Sequence, residues 1–145
     1  MIMMNADEIF EKYSKQAVKS ATEDVAEYSR THHLFISRTG NLERSIRGMQ
    51  SADGLTGTVT IERTQAPYGY WVHQGIQQEY TIVPRTKKAL RWVNGDRFVF
   101  AKRVTIPQRD GDPFLFNALK SREAHIQKIF ANRIEEALKE IAKEL

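Results

Sequence analysis

Four histidines, two closely spaced acids and one dense run of cations are the groups in this sequence with chemistry to offer. His32 and His33 are adjacent, and neighbouring residues need not converge on one ion. His73 and His125 lie far away without a supporting acidic pattern, so the spacing favours solvated or hydrogen-bonded histidines over a metal site. Asp110 and Asp112 sit just ahead of Pro113, where a turn acid and a helix cap account for both. Strings for a serine nucleophile elbow, a phosphate-cradling loop or a dinucleotide fingerprint are absent. The residues therefore supply no catalytic set and call for no cofactor, and the expectation is a protein that is not an enzyme.

The cations are more informative. Residues 85–109 hold Arg85, Lys87, Lys88, Arg91, Arg97, Lys102, Arg103 and Arg109 against Asp96 alone. The other three stretches nearly balance: four basic and six acidic residues in 1–30, four of each in 31–84, and six basic and seven acidic from 110 onward. The net charge of +4 is thus a local feature, and a charged partner would be met at this segment. Basic residues interleaved with aromatics are also what nucleic-acid binding needs, so a nucleic-acid-binding module using the basic hairpin 85–109 is the alternative reading. Against it, Trp92, Phe98 and Phe100 are expected on the face opposite most arginines, as core.

With 145 residues, 41% apolar and 28% charged, the sequence is expected to form a single domain over 1–145 with an ordinary core. No run approaches the roughly 20 apolar residues of a spanning helix, so no membrane association is expected. The opening "MIMMNADEIF" lacks the pattern of a secretory signal, and there is no cysteine; synthesis in the cytoplasm is the expectation.

Those groups must be positioned by an α+β fold. Asn5 can cap a helix whose apolar or small residues recur at Ile9, Phe10, Tyr13, Ala17, Ala21, Val25 and Tyr28. A short helical turn carrying Leu42 and Ile46 follows Thr39 and Gly40, and "LTGTVTIER" then alternates as a strand after the Asp53-Gly54 turn. "YTIVP" reads as a short strand. "ALRWVNGDRFVFAKRVTI" reads as a hairpin turning at Asn94-Gly95 in type I′, with Leu90, Trp92, Phe98, Phe100, Val104 and Ile106 on a greasy side and Arg91, Arg97 and Arg103 on a basic one. A last helix starts at Pro113, capped by Asp112, and carries Ile126, Phe130, Ile134, Leu138, Ile141 and Leu145. The expected architecture is an N-terminal helix, a small antiparallel sheet with a basic hairpin, and a long C-terminal helix, both helices on one face of the sheet.

Three segments, "TGNLERSI" at 39–46, "YGYWVHQG" at 68–75 and "PFLFNAL" at 113–119, together resemble the small neck or tail-component proteins of long-tailed bacteriophages, the head–tail connector and tail-completion proteins. "TIVPRTKKALRW" and "FVFAKRV" resemble the basic strand pair seen in many of them, and the likeness spans about residues 39–120. Many members carry an acid shortly before the glycine of the aromatic segment, where this chain has His73 and Gln74.

The resemblance implies a non-catalytic virion component located in the neck or tail. It acts by self-association into a cyclic ring and by docking on adjacent connector, head-closure or tail-tube proteins, near packaged DNA. A hexamer is the expectation carried by that setting, with twelve copies or a monomeric assembly factor as alternatives. The interface residues it suggests are Arg85, Lys87, Lys88, Arg97, Lys102 and Arg103 on the hairpin, Tyr68, Tyr70, Trp71 and His73 in the aromatic segment, and Phe114 and Phe116 on the last helix. Two readings stand for the aromatics: Tyr68, Tyr70 and Trp71 form a partner surface, or Trp71 and Val72 close the sheet's edge. For Phe114, Leu115 and Phe116, one side chain faces a neighbouring subunit or all three enter one core, because successive helical residues point about 100° apart.

Overall fold

A computed structural model describes residues 5–144, apart from the side chains of Trp92 and Asn94. Asn5 closes a capping box on the first helix, α1 (Ala6–Thr31): its side chain accepts from the Glu8 N–H at 2.9 Å while Glu8 reaches back to the Asn5 N–H. The apolar period buries Ile9, Ala17, Val18, Ala21, Val25 and Ala26 on one side. A single turn, α2 (Asn41–Arg44), buries Leu42, and Ile46 opens a strand instead of continuing that turn.

Strand β1 (Ile46–Gln50) pairs antiparallel with β2 (Gly57–Ile61), and the hairpin lies directly on α1. Gly57 explains how close: a Cβ there would collide with the Thr22 hydroxyl. In the connecting turn the Asp53 carboxylate accepts from Ser51 Oγ and from the Leu55 N–H, which holds its pKa below the ordinary aspartate value.

The aromatic segment forms a short helix, α3 (Gly69–Gln74). The C-terminal region is also divided: α4 (Phe114–Ser121) and α5 (Glu123–Glu144) are separated at Arg122. The Arg122 guanidinium makes a two-pronged ion pair with Asp24 of α1, both contacts at 2.9 Å. Since Lys12 near the start of α1 meets Glu140 near the end of α5, the two long helices run antiparallel. Leu145, the last expected member of the α5 stripe, lies outside the described residues.

The fold is α+β, with small antiparallel sheets and a long C-terminal helix packed on the α1–β1–β2 layer. Its core joins Ala26, Leu42, Ile46, Ala66 and Phe114, with Phe35, Val59, Ile61, Val72 and Leu115 packed against them.

The single sheet expected from the sequence is instead four two-stranded ladders. Three of them are nested. β3 (Gly75–Ile76) pairs with β8 (Arg109–Asp110), β4 (Tyr80–Ile82) with β7 (Val104–Ile106), and β5 (Leu90–Asn94) with β6 (Arg97–Ala101), all antiparallel. Residues 75–110 thus form one interrupted ribbon whose inner strands find their main neighbours in each other. Its root is a backbone crossing: Gly75 has φ +77°, and a Cβ on it would lie 2.6 Å from the Arg109 carbonyl and collide with the Gly111 N–H.

The tip departs from the sequence expectation by one residue. Asn94 pairs with Arg97, so Gly95 and Asp96 are the loop. Gly95 has φ +69° and no non-glycine residue among the described ones, Asp96 included, has positive φ, which makes the turn type II′ and not I′. A two-residue loop pairs positions whose numbers differ in parity. Arg91 therefore faces Phe100 and Val93 faces Phe98, so Phe98 and Phe100 share a face with Arg91, and the separate greasy and basic sides do not exist. Trp92 pairs through its backbone with Val99, and its side chain lies outside the described residues.

Candidate interaction surface

The suggested residues fall into separate places. Arg85, Lys87, Lys88, Arg97, Lys102 and Arg103 are all exposed on the ribbon, as are Arg91 and Arg109. The eight ion pairs among the described residues include none of them. The loop between β4 and β5 folds over β6, so that Arg85, Lys87 and Arg91 line a cleft of about 390 Å³ with Phe100. The Arg91 guanidinium lies 4.9 Å from the centre of the Phe98 ring, a cation–π contact.

The same ribbon exposes apolar surface that the sequence reading assigned to a core. Val93 is 61% exposed, Phe98 60% and Phe100 65%, fractions that leave these side chains more in water than in protein. Tyr80, Ile82, Val104 and Ile106 share one face of the β4–β7 ladder, and Thr81 and Thr105 face each other on the other side at 3.4 Å. Alternation signalled these strands correctly. It could not say that nothing packs on them.

At the root, Tyr68 and Trp71 line a cleft of about 500 Å³ with Leu34, Ile76 and Arg109. Tyr68, Tyr70 and Trp71 are each about half exposed, and the Tyr70 and Trp71 rings meet edge to face at 5.4 Å. Helix α3 turns Gly69 and His73 inward, four residues apart, and Tyr70 and Trp71 outward.

His73 and Phe114 leave the candidate surface. His73 is 6% exposed and Phe114 fully buried, with their rings 5.1 Å apart, so both belong to the interior of the chain. Asp112 is corrected as well. It caps no helix: α4 begins after Pro113 without a side-chain cap, and the Asp112 carboxylate accepts instead from the Leu34 and Phe35 N–H groups at 2.6 and 2.9 Å. One buried acid, 78 residues away in sequence from Leu34, ties the segment after α1 to the start of α4. Sequence spacing carried no signal for that contact.

Burial holds the His73 pKa below its ordinary value of 6.5, and the nearby Asp112 carboxylate opposes the shift only in part. Gln74 Nε2 donates to His73 Nδ1 at 3.0 Å, which leaves Nε2 as the protonated nitrogen of the neutral ring. The folded protein resists a proton that the unfolded chain accepts, so this residue costs stability as pH falls below about 6.5. His73→Gln should therefore lose less stability between pH 7 and pH 5 than the wild type, read as urea midpoints at about half-unit intervals of pH across that range. Equal slopes for the two proteins would mean that the buried ring takes its proton freely.

A fourth feature was not expected from sequence. α1, β2, α4 and α5 leave between them an open groove of about 470 Å³, whose lining contains no charged side chain. Leu115 lines it, and Phe116, 64% exposed, stands at the same place. The three-residue apolar run thus splits into a core residue, a groove residue and a largely exposed one. Among the described residues no group of three or more histidine, cysteine, aspartate or glutamate side chains is gathered as a metal ion requires, and no helix is long and apolar enough to cross a membrane.

No family model, curated protein or solved structure matches this chain.

Proposed function

We propose that this chain is a structural component of the neck or head–tail interface of a long-tailed bacteriophage, working in tail completion or head–tail joining by self-association and docking, without catalysis. The observation that carries the reading is the ribbon of residues 75–110. Its apolar side chains at Val93, Phe98 and Phe100 are more than half exposed, and its cations have no ionic partner among the described residues. Burying one such apolar side chain contributes about 1.5–3 kcal/mol, so an element of this kind is stabilised by a partner. The motifs at 39–46, 68–75 and 113–119 supply the phage context by resemblance. A closed ring, with six copies expected, follows from the same resemblance, since contacts between unlike patches generate rings when the rotation closes.

Deleting the gene from the phage that encodes it tests the proposal directly: heads and tails should accumulate unjoined, or tails unfinished, in electron micrographs. Infectious particles with normal necks would end it. A finer test reverses the charge at Lys87, Lys88, Lys102 and Arg103 together. All four are exposed, so each substitution should change stability by only about 0.5 kcal/mol while particle joining is lost. Unfolding of this variant would assign the cations an intramolecular role.

The second reading, nucleic-acid binding by the ribbon, is favoured by one observation: Arg85, Lys87 and Arg91 gather around exposed Phe100 in a single cleft. It predicts a complex with duplex or single-stranded DNA whose affinity falls steeply with salt. Competition between DNA and a partner protein for the ribbon separates the two readings.

A further inference from the structure

We infer that the apolar groove between β2 and helices α4 and α5 receives the tip of the ribbon from a second copy of this chain, in a head-to-tail contact. The inference rests on the self-association proposed above and names the two surfaces that make it.

The groove offers only apolar contact. Val18, Val25, Leu55, Leu119, Ile126 and Phe130 line it, and its one buried hydroxyl, on Thr22, is already spent on the Val18 carbonyl at 2.7 Å. The other hydroxyl of the lining is that of Thr56, an exposed residue. An occupant must be apolar and long enough to lie in an open channel.

The ribbon tip meets both conditions. Val93 and Phe98 face each other across the ladder with Phe100 beside them, three exposed apolar side chains in one strip, while Arg91 on the same face lies against the Phe98 ring and has to keep its guanidinium at the open mouth of the groove. The outgoing side of the ribbon, from Arg97 to Asp110, can extend to about 45 Å at the rise of a strand. That is comparable with α1, whose 26 residues span about 39 Å. The root is fixed by the Gly75–Gly111 backbone crossing and by the Asp112 N–H donating to the Val72 carbonyl at 2.9 Å, and β4 to β7 beyond it have their main contacts with each other and not with the helices.

Charge favours the same pairing. Residues 85–109 carry eight cations and one anion, whereas α1 and α5, which supply two walls of the groove, together carry eight cations and eleven anions. A ribbon tip meeting the helices of another copy therefore joins opposite net charges. A tip meeting a second tip would bring two strongly cationic segments together. The two surfaces are different places on the molecule, so the contact is heterologous and propagates until it closes.

The chain contains no cysteine, which makes the contact directly readable by disulfide formation. Phe98→Cys and Leu119→Cys are both at exposed positions, and the secondary structure of each variant, read by circular dichroism, should match the wild type. Mixed under mild oxidation, the two single variants should give a cross-linked heterodimer, and neither alone should give a comparable yield. The double variant should give a ladder of covalent oligomers ending at the ring size. A Phe98→Cys homodimer as the main product, an intramolecular disulfide in the double variant at high dilution, or no cross-link at all would each overturn the inference. Rings seen by mass in solution without the cross-link would remove this contact and leave self-association standing. A chain that stays monomeric would remove the contact together with the proposed ring, and the gene-deletion experiment would decide the neck assignment separately.

Discussion

Phe114→Ala should cost about 3–5 kcal/mol of stability, while Phe116→Ala, two residues along the same helix, should cost less than about 1 kcal/mol. Phe114 has no exposed surface and fills the centre of the cluster formed by Ala26, Leu42, Ile46 and Ala66, with Phe35 edge-on at 5.0 Å and His73 at 5.1 Å. Removing its ring leaves a cavity bounded by elements from every part of the body, and those elements cannot all close on it. Phe116 touches His73 on one side and stands at the open groove on the other, 64% exposed. Urea unfolding of both variants, with the dependence on denaturant checked for change, measures the difference. Equal losses would mean that Phe116 is covered in solution, and in that case the loss should grow with protein concentration.

Asp112→Ala is the second large effect, and it differs in kind. The carboxylate is 7% exposed and accepts from two backbone N–H groups, of Leu34 and Phe35. Alanine removes the acceptor from both donors: at Phe35, which is half-buried, the cost is about 1–3 kcal/mol, and at Leu34, which is exposed, water offsets most of it. Asp112→Asn keeps an acceptor oxygen in place and should lose markedly less. The amide hydrogens of Leu34 and Phe35 should exchange much faster in the alanine variant, and this identifies the lost contact even where the total stability is similar. Unchanged exchange at these two amides would remove Asp112 from its anchoring role.

These two residues also show what spacing can carry. The Asp112-Pro113 pair announced a helix start, and α4 does begin at Phe114. What the acid does there was hidden, because its acceptors' partners lie more than 75 residues earlier. Asn5 was legible because a capping box closes within three residues. The break at Arg122 was not: no glycine or proline marks it, and the ion pair made there joins Arg122 to Asp24 on another helix, 98 residues away. His73 looked like part of an aromatic surface until α3 formed and turned it inward with Gly69.

The ribbon marks the same boundary in a second way. The extended segments of β4 to β7 were legible, those of β3 and β8 at the root were not, and Gly95 located the tip to within one residue, because pleat and turn chemistry are properties of a few neighbouring positions. Which face was core could not be obtained from alternation. The period of two says only that the faces differ, and the pairing parity set by the loop mixed Arg91 with Phe98 and Phe100.

The sequence by itself determined the long helices that cap and repeat locally, the extended segments of β2 and of β4 to β7, the hairpin tip to within one residue, and the concentration of positive charge in residues 85–109. Tertiary structure alone decided that Phe114 and His73 are interior, that Asp112 anchors a distant backbone, and that the ribbon leaves its apolar strip uncovered while a groove without charge lies open between the helices. Local geometry follows from bonds and steric preferences within a few residues. Burial depends on which distant surfaces meet, and no short window of sequence contains both.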